Sequence, residues 1–191
     1  PTHFELTKKC LLAKKNVLVE NPLENVKECF KIAIKNKVKL LVGYYKRFDI
    51  NYQELIKKVK MSNSPIKNIK MTIKNNFIPH MSYLNSSGGI VLDLLIHDID
   101  IINILMNFQI PQEVVALTST QDKLLIDNRE IENIEVLMKY PKGELVTMTS
   151  SRSAGYGYDN RMEIVLKDNL IQMKNQTDSL VSHFTPTKIE D

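Results

Sequence analysis

The sequence predicts a mixed α/β protein, in which a parallel α/β unit is followed by a mostly antiparallel sheet with a helix on one face. Two observations predict this. Over residues 1–62, short and wholly apolar strands alternate with amphipathic helices, the pattern of parallel structure buried on both sides. Over residues 63–191, turn signals separate strands that follow one another closely, the order of an antiparallel sheet. The first region opens on a helix, whereas a doubly wound unit opens on a strand. Further structure is therefore expected upstream of Pro1.

The elements follow in order. Thr2-His3-Phe4-Glu5 has the spacing of a capping box, and Phe4, Leu6, Cys10, Leu11 and Ala13 carry an amphipathic helix on to about Lys14. Val17-Leu18-Val19 is long enough only for a buried strand. Glu24 to Lys35 reads as a second helix with Val26, Phe30, Ala33 and Ile34 inward, and Lys39 to Gly43 as a second buried strand. A third helix runs from about Asp49, its N-cap, to Val59. After Pro65, Ile66 to Lys74 alternates as a half-exposed strand should, and Gly88 to Met106 is a long helix. Strands are expected at Val114–Thr118, Ile131–Tyr140, Glu144–Ser151, Met162–Leu166, Leu170–Met173 and Leu180–Phe184. Pro141-Lys142-Gly143 and Lys167-Asp168-Asn169 mark turns between neighbours. A sheet covered by helices on one side leaves its other face bare, and a bare apolar face seeks a partner. Val136, Met138, Val146 and Met148 alternate along adjacent strands, so a homo-oligomer built through that face is expected.

Composition narrows the function classes. A 191-residue chain with 43% hydrophobic and 25% charged residues buries an ordinary core without staples. The net charge of +4 is dispersed rather than gathered into a block, which argues against a nucleic-acid partner. Cys10 and Cys29 stand alone in helical stretches and are expected to be reduced, largely buried thiols rather than a disulfide or zinc framework. Charges break every apolar run well short of the roughly 18 residues of a membrane span. No signal-peptide pattern precedes the first helix. A cytoplasmic protein that does not enter membranes is expected.

Three segments carry chemistry. In Gly88-Gly89-Ile90-Val91-Leu92-Asp93-Leu94-Leu95-Ile96-His97-Asp98-Ile99-Asp100, a four-residue step puts Asp93 and His97 on one helix face. An acid beside an imidazole can hold its tautomer, tune its pKa and pass a proton. Periodicity alone reads His97 more readily as a satisfied core histidine. Asp98 and Asp100 point elsewhere and read as structural, and a metal site on Asp93, His97 and Asp100 lacks further ligands. The second segment, Glu20-Asn21-Pro22, ends the first strand, where open α/β sheets bind ligands; an ordinary Pro-bent turn explains it equally well. The third, Gly43-Tyr44-Tyr45-Lys46-Arg47-Phe48-Asp49, follows the second strand with cations and rings, part of which a capped helix start accounts for.

In this order and spacing the segments resemble the glucose–fructose oxidoreductase/inositol dehydrogenase/MocA family. That family typically reads Glu-Lys-Pro, then Gly-Phe-Asn-Arg-Arg-Phe-Asp, then Gly-Gly…Asp-x-x-x-His-Asp. A fourth stretch, Ser151 to Glu163 with Ala154-Gly155-Tyr156-Gly157-Tyr158-Asp159, is similar to the inositol 2-dehydrogenase branch. The resemblance covers Pro1 to about residue 185. It implies that residues 1–62 are the C-terminal half of a Rossmann-type dinucleotide-binding domain and residues 63–191 an α+β substrate and oligomerisation domain. It further implies oxidation of a secondary hydroxyl of a cyclic polyol or sugar with NAD or NADP. On it, His97 is the proton acceptor, Asp93 its companion, and Asn21 stands at the position of the family lysine. His3, Glu20, Pro22 and Arg47 fall to the cofactor and Tyr158 to the substrate.

Two departures accompany it. The chain contains no Gly-x-Gly-x-x-Gly turn, so it is expected to bind the dinucleotide weakly or not at all by itself, with about 60 or more residues expected upstream and further sheet beyond Asp191. Asn21 can hydrogen-bond a substrate but cannot bring a lysine's charge to the reacting hydroxyl. A non-catalytic binding or assembly relative that kept the fold is the alternative reading.

Overall fold

The computed structural model describes residues 2–175 and the backbone of two short strands within 176–191. The first region runs α1 (His3–Leu12), β1 (Val17–Val19), α2 (Val26–Asn36), β2 (Leu40–Val42), a 3-10 turn at Tyr45–Phe48 and α3 (Ile50–Ser62). β1 and β2 pair in parallel, Val17 opposite Leu40 and Val19 opposite Val42. The Asp49 side chain caps α3, accepting from the Asn51 and Tyr52 amides, as the sequence predicts.

Three local expectations fail here. Thr2 makes no side-chain cap, because its backbone (φ −90°, ψ 4°) is not the extended conformation from which an N-cap hydroxyl reaches the first turn. The inward stripe of α2 runs through Cys29 and Ala33, while Phe30 and Ile34 are exposed. Likewise Leu11 is buried in α1 but Leu6 and Cys10 are exposed. In this chain α1 and α2 pack on β1 and β2 along one line each, and the residues on that line are the buried ones. The small core is Leu11, Cys29 and Ala33, flanked by Phe4, Val17 and Leu40.

From residue 66 the chain builds a six-stranded sheet from β3 (Ile66–Lys74), β4 (Glu113–Ser119), β5 (Asn133–Lys139), β6 (Leu145–Ser151), β7 (Asp159–Leu166) and β8 (Leu170–Lys174). The order is β4-β5-β6-β3-β7-β8, with β3 parallel to β6 and every other pair antiparallel. Between β3 and β4 come α4 (Met81–Ser87), a π turn at Val91–Leu95 and α5 (Ile96–Leu105); α6 (Lys123–Asp127) follows β4. β9 (His183–Phe184) and β10 (Ile189–Glu190) pair antiparallel; residues 180–182 of the expected last strand lie outside the described residues. Helices α4 and α6, at seven and five residues, are too short to show a period in the sequence.

The main core lies between one face of this sheet and α3 and α5. Ile69, Met71 and Ile73 of β3 meet Tyr52, Leu55 and Val59 of α3 and Ile101, Ile102 and Leu105 of α5. Each such side chain contributes roughly 1.5–3 kcal/mol by leaving water. Met138, Val146 and Met148 are buried in this core and Val136 packs against it, so these four do not form the bare face proposed for assembly. Alternation put them on one face correctly but could not say which face the helices cover. The outer face carries Val115, Leu117, Leu137 and Leu145, all exposed. Among the described residues no helix is long and apolar enough to cross a membrane.

A candidate active site at the ends of the parallel strands

Because β1 and β2 run in parallel, their C-terminal ends emerge at one edge, bringing Glu20-Asn21-Pro22 beside Gly43. The Asn21–Pro22 peptide is cis. The Asn21 amide donates to the Gly43 carbonyl at 3.1 Å. A Cβ at residue 43 would stand 2.5 Å from a Glu20 carboxylate oxygen, so Gly43 is what lets Glu20 lie across the strand end. His3 Nδ1 sits 2.9 Å from the Pro22 carbonyl and ties α1 to the same edge.

The second half of the site comes from α4 and the helix after it. Gly88 and Gly89 take left-handed φ of +83° and +81°. Gly88 ends α4 in that conformation, and nothing lies within 4 Å of a Cβ built on Gly89. The glycine pair therefore serves a backbone turn. The π turn then carries Asp93, and α5 carries His97 on its first turn.

These parts enclose a cavity of about 290 Å³ lined by His3, Asn21, Pro22, Tyr83, Ser86, Ser87, Leu92, Asp93 and His97. Five of the eight sequence-derived site residues therefore meet in one place. Glu20 adjoins through Gly43. Arg47 and Tyr158 do not line the cavity. Arg47 is held by Asp100 (Nε to Oδ2, 2.6 Å) and lies 5.0 Å from the Tyr44 ring centre. Tyr158, partly exposed, is close enough to Tyr45 and Asp98 to interact with them electrostatically.

Asp93 and His97 share the cavity without a hydrogen bond between them. Asp93 instead accepts from the Tyr83 hydroxyl (2.6 Å) and from Arg152 Nη1 (2.7 Å). The bond to Asp93, with some burial, pushes the Tyr83 phenol up to about 12. His97 packs against Tyr45 with ring centres 4.5 Å apart, and its Nδ1 is buried with no hydrogen-bond partner among the described residues. Burial lowers the His97 pKa, and the Lys46 charge lowers it further, against the opposing pull of Glu20, Asp100 and Asp93. The imidazole is thus neutral near pH 7 and free to accept a proton.

Asp98 and Asp100, read as structural, are the anchors of the neighbouring 3-10 turn. Lys46 is buried against Asp98, and Arg47 pairs with Asp100. Burial holds the Asp98 carboxyl up at about 6 despite Lys46. Arg152, Tyr83 and Lys46 are the neighbours that local sequence reasoning did not assign. The bond from Arg152 to Asp93 spans 59 positions and that from Lys46 to Asp98 spans 52, so no short-range pattern could have signalled either. Among the described residues no group of three or more His, Cys, Asp or Glu is arranged to hold a metal ion.

A model of the GFO/IDH/MocA C-terminal domain matches residues 66–171. The chain belongs to the GFO/IDH/MocA family. An inositol 2-dehydrogenase from Rhizobium meliloti (strain 1021) is 29% identical over 184 residues, 92% of this chain and 54% of that one. A myo-inositol 2-dehydrogenase from Thermotoga maritima is 31% identical over 170 residues, 85% of this chain and 50% of its own length. The crystal structure of a probable dehydrogenase from Thermotoga maritima superposes with a TM-score of 0.86 at 30% identity, covering 95% of this chain and 56% of that one. A putative myo-inositol dehydrogenase from Sinorhizobium meliloti 1021 superposes with the same TM-score at 27% identity over 99% of this chain and 59% of that one. This GFO/IDH/MocA chain therefore spans about half the length of the relatives it matches.

Proposed function

We propose that this chain supplies the substrate side of a dehydrogenase that oxidises a secondary hydroxyl of a cyclic polyol or sugar with NAD or NADP. In this reading residues 1–62 belong to the dinucleotide-binding domain and residues 63–191 to the substrate and assembly domain of a cytoplasmic homo-oligomer. The observation that carries it is the cavity in which a neutral His97, a hydrogen-bonded Asp93 and Asn21 meet at the ends of two parallel strands.

His97 accepts the proton of the hydroxyl being oxidised, as its lowered pKa equips it to do. Asp93 accepts a hydrogen bond from a polyol hydroxyl on a lone pair that Tyr83 and Arg152 leave open. Asn21 keeps one amide hydrogen and its carbonyl oxygen for the substrate, the other hydrogen going to Gly43. The nicotinamide ring, when bound, supplies the hydride acceptor. In this reading His3 and Pro22, which line the cavity, and Glu20, beside Gly43, would hold it, while Arg47 and Tyr158 lie outside the cavity lining. A cavity just under the roughly 300–1,000 Å³ of drug-sized sites has room for a ring-sized group such as a cyclic polyol.

The test is polyol-dependent reduction of NAD or NADP by the full-length protein across a panel of inositols and sugars. His97→Ala should lower turnover by about 10²–10⁴-fold with cofactor affinity unchanged. Asn21→Lys should raise turnover by returning a cation beside the developing alkoxide. No activity across the panel overturns this reading and leaves the fold as a scaffold.

A further inference from the structure

The guanidinium of Arg152, at the end of β6, is the largest fully buried side chain among the described residues, with 0% of its surface exposed. Its backbone is fixed where the strand ends, the Arg152 amide donating to the Glu132 carbonyl at 3.0 Å. A buried cation must be paired and hydrogen-bonded to be tolerated. Among the described residues its one partner is Asp93, at 2.7 Å, and its Nε and Nη2 have none. Asp93 is in turn fixed from the other side by Tyr83, at 2.6 Å to the opposite carboxylate oxygen. Each oxygen of Asp93 thus has one occupied lone pair and one open, and the carboxylate borders the cavity.

We propose that Arg152 is the positioning residue of this site, which with Tyr83 clamps Asp93 so that its open lone pairs take a pair of substrate hydroxyls. The inference rests on the polyol-oxidising reading above and deepens it. Asp93 then acts on the substrate and not on the His97 ring, in keeping with the absence of a bond between them.

The experiment compares Arg152→Lys, Arg152→Gln and Tyr83→Phe with wild type in the full-length protein. The readouts are kcat and KM for the polyol, KM for the cofactor, and the crystal structure of each variant. Loss of a hydrogen bond to a charged group corresponds to roughly ten- to a hundredfold. Arg152→Gln should raise the polyol KM by about that factor, with cofactor KM unchanged and the Asp93 carboxylate turned away from the cavity. Arg152→Lys should restore part of the loss. Tyr83→Phe, at an exposed ring, removes the second contact without threatening the fold and should raise the polyol KM several-fold. An unchanged polyol KM in folded Arg152→Gln, or in Tyr83→Phe should Arg152→Gln fail to fold, overturns the proposal. So does Asp93 in its wild-type position in the folded variant. A protein with no polyol activity overturns the polyol reading instead, and the crystal structures still decide whether Arg152 and Tyr83 position Asp93.

Discussion

The Lys46–Asp98 pair offers a test that needs no activity. Both side chains are buried, at 3% and 0% exposure, and Lys46 lies 5.2 Å from the Tyr52 ring centre, at the seam between the 3-10 turn and α5. Lys46→Met leaves Asp98 without its counter-charge, and breaking a buried pair from one side costs about 3–5 kcal/mol. For a chain of this size each kcal/mol moves Tm by roughly 2–4 °C, so the expected loss is about 6–20 °C. The double variant Lys46→Met/Asp98→Leu, which leaves no orphaned charge, should recover most of it. The pH dependence has a definite sign. Burial already holds the Asp98 carboxyl up at about 6, above its unfolded value of 3.8, and removing Lys46 moves it further up. A raised folded pKa gives stability that is present below the unfolded pKa and lost as pH rises through the folded one. The Tm deficit of Lys46→Met should therefore be small at pH 4 and full at pH 8. Because Lys46 also depresses His97, the His97 imidazole should titrate higher in Lys46→Met when followed by proton NMR. Thermal melts of Lys46→Met, Asp98→Leu and the double variant provide the measurement. A single variant within 1 kcal/mol of wild type, or a double variant as unstable as the singles, would refute the reasoning.

Three further outcomes are expected. Gly88→Ala should lower stability by about 1–2 kcal/mol, the cost of a Cβ at left-handed φ, and crowd Leu92 at 3.1 Å; urea unfolding measures it. His97 has a folded pKa below its unfolded value, so the unfolded chain binds more protons between the two and stability falls as pH drops through 6.5. That acid loss should be smaller in His97→Gln, as melts at pH 5 and pH 8 would register. Leu117→Lys, on the outer face at 71% exposure, should convert the homo-oligomer proposed above to monomers by light scattering without lowering Tm of the monomer, whereas an unchanged mass would move the interface off this face.

Much of this protein was legible in its sequence because the signals were local. Short apolar strands between amphipathic helices implied parallel pairing, and β1 and β2 do pair so. A four-residue step from Asp93 to His97 brought both to one cavity, and Asp49 capped α3 through contacts two and three residues away. Ordered motifs spread along the chain carry the family resemblance, and the family model matches residues 66–171. What the sequence could not determine was set by packing across long separations. Alternation placed Met138, Val146 and Met148 on one face of the sheet, but only the arrival of α3 and α5 made that face the core. Helical periodicity allowed either of two adjacent lines on α2 to turn inward, and packing against Leu11, Val17 and Leu40 buries Cys29 and Ala33. Most consequentially, an acid four residues from a histidine looks like its partner when only the helix is known. Arg152 and Tyr83, brought in by β6 and α4, hold Asp93 by stronger contacts and leave the imidazole to burial and to Lys46. A charge is governed by whatever lies within a few ångströms of it, and in a folded chain that neighbourhood is decided by tertiary structure.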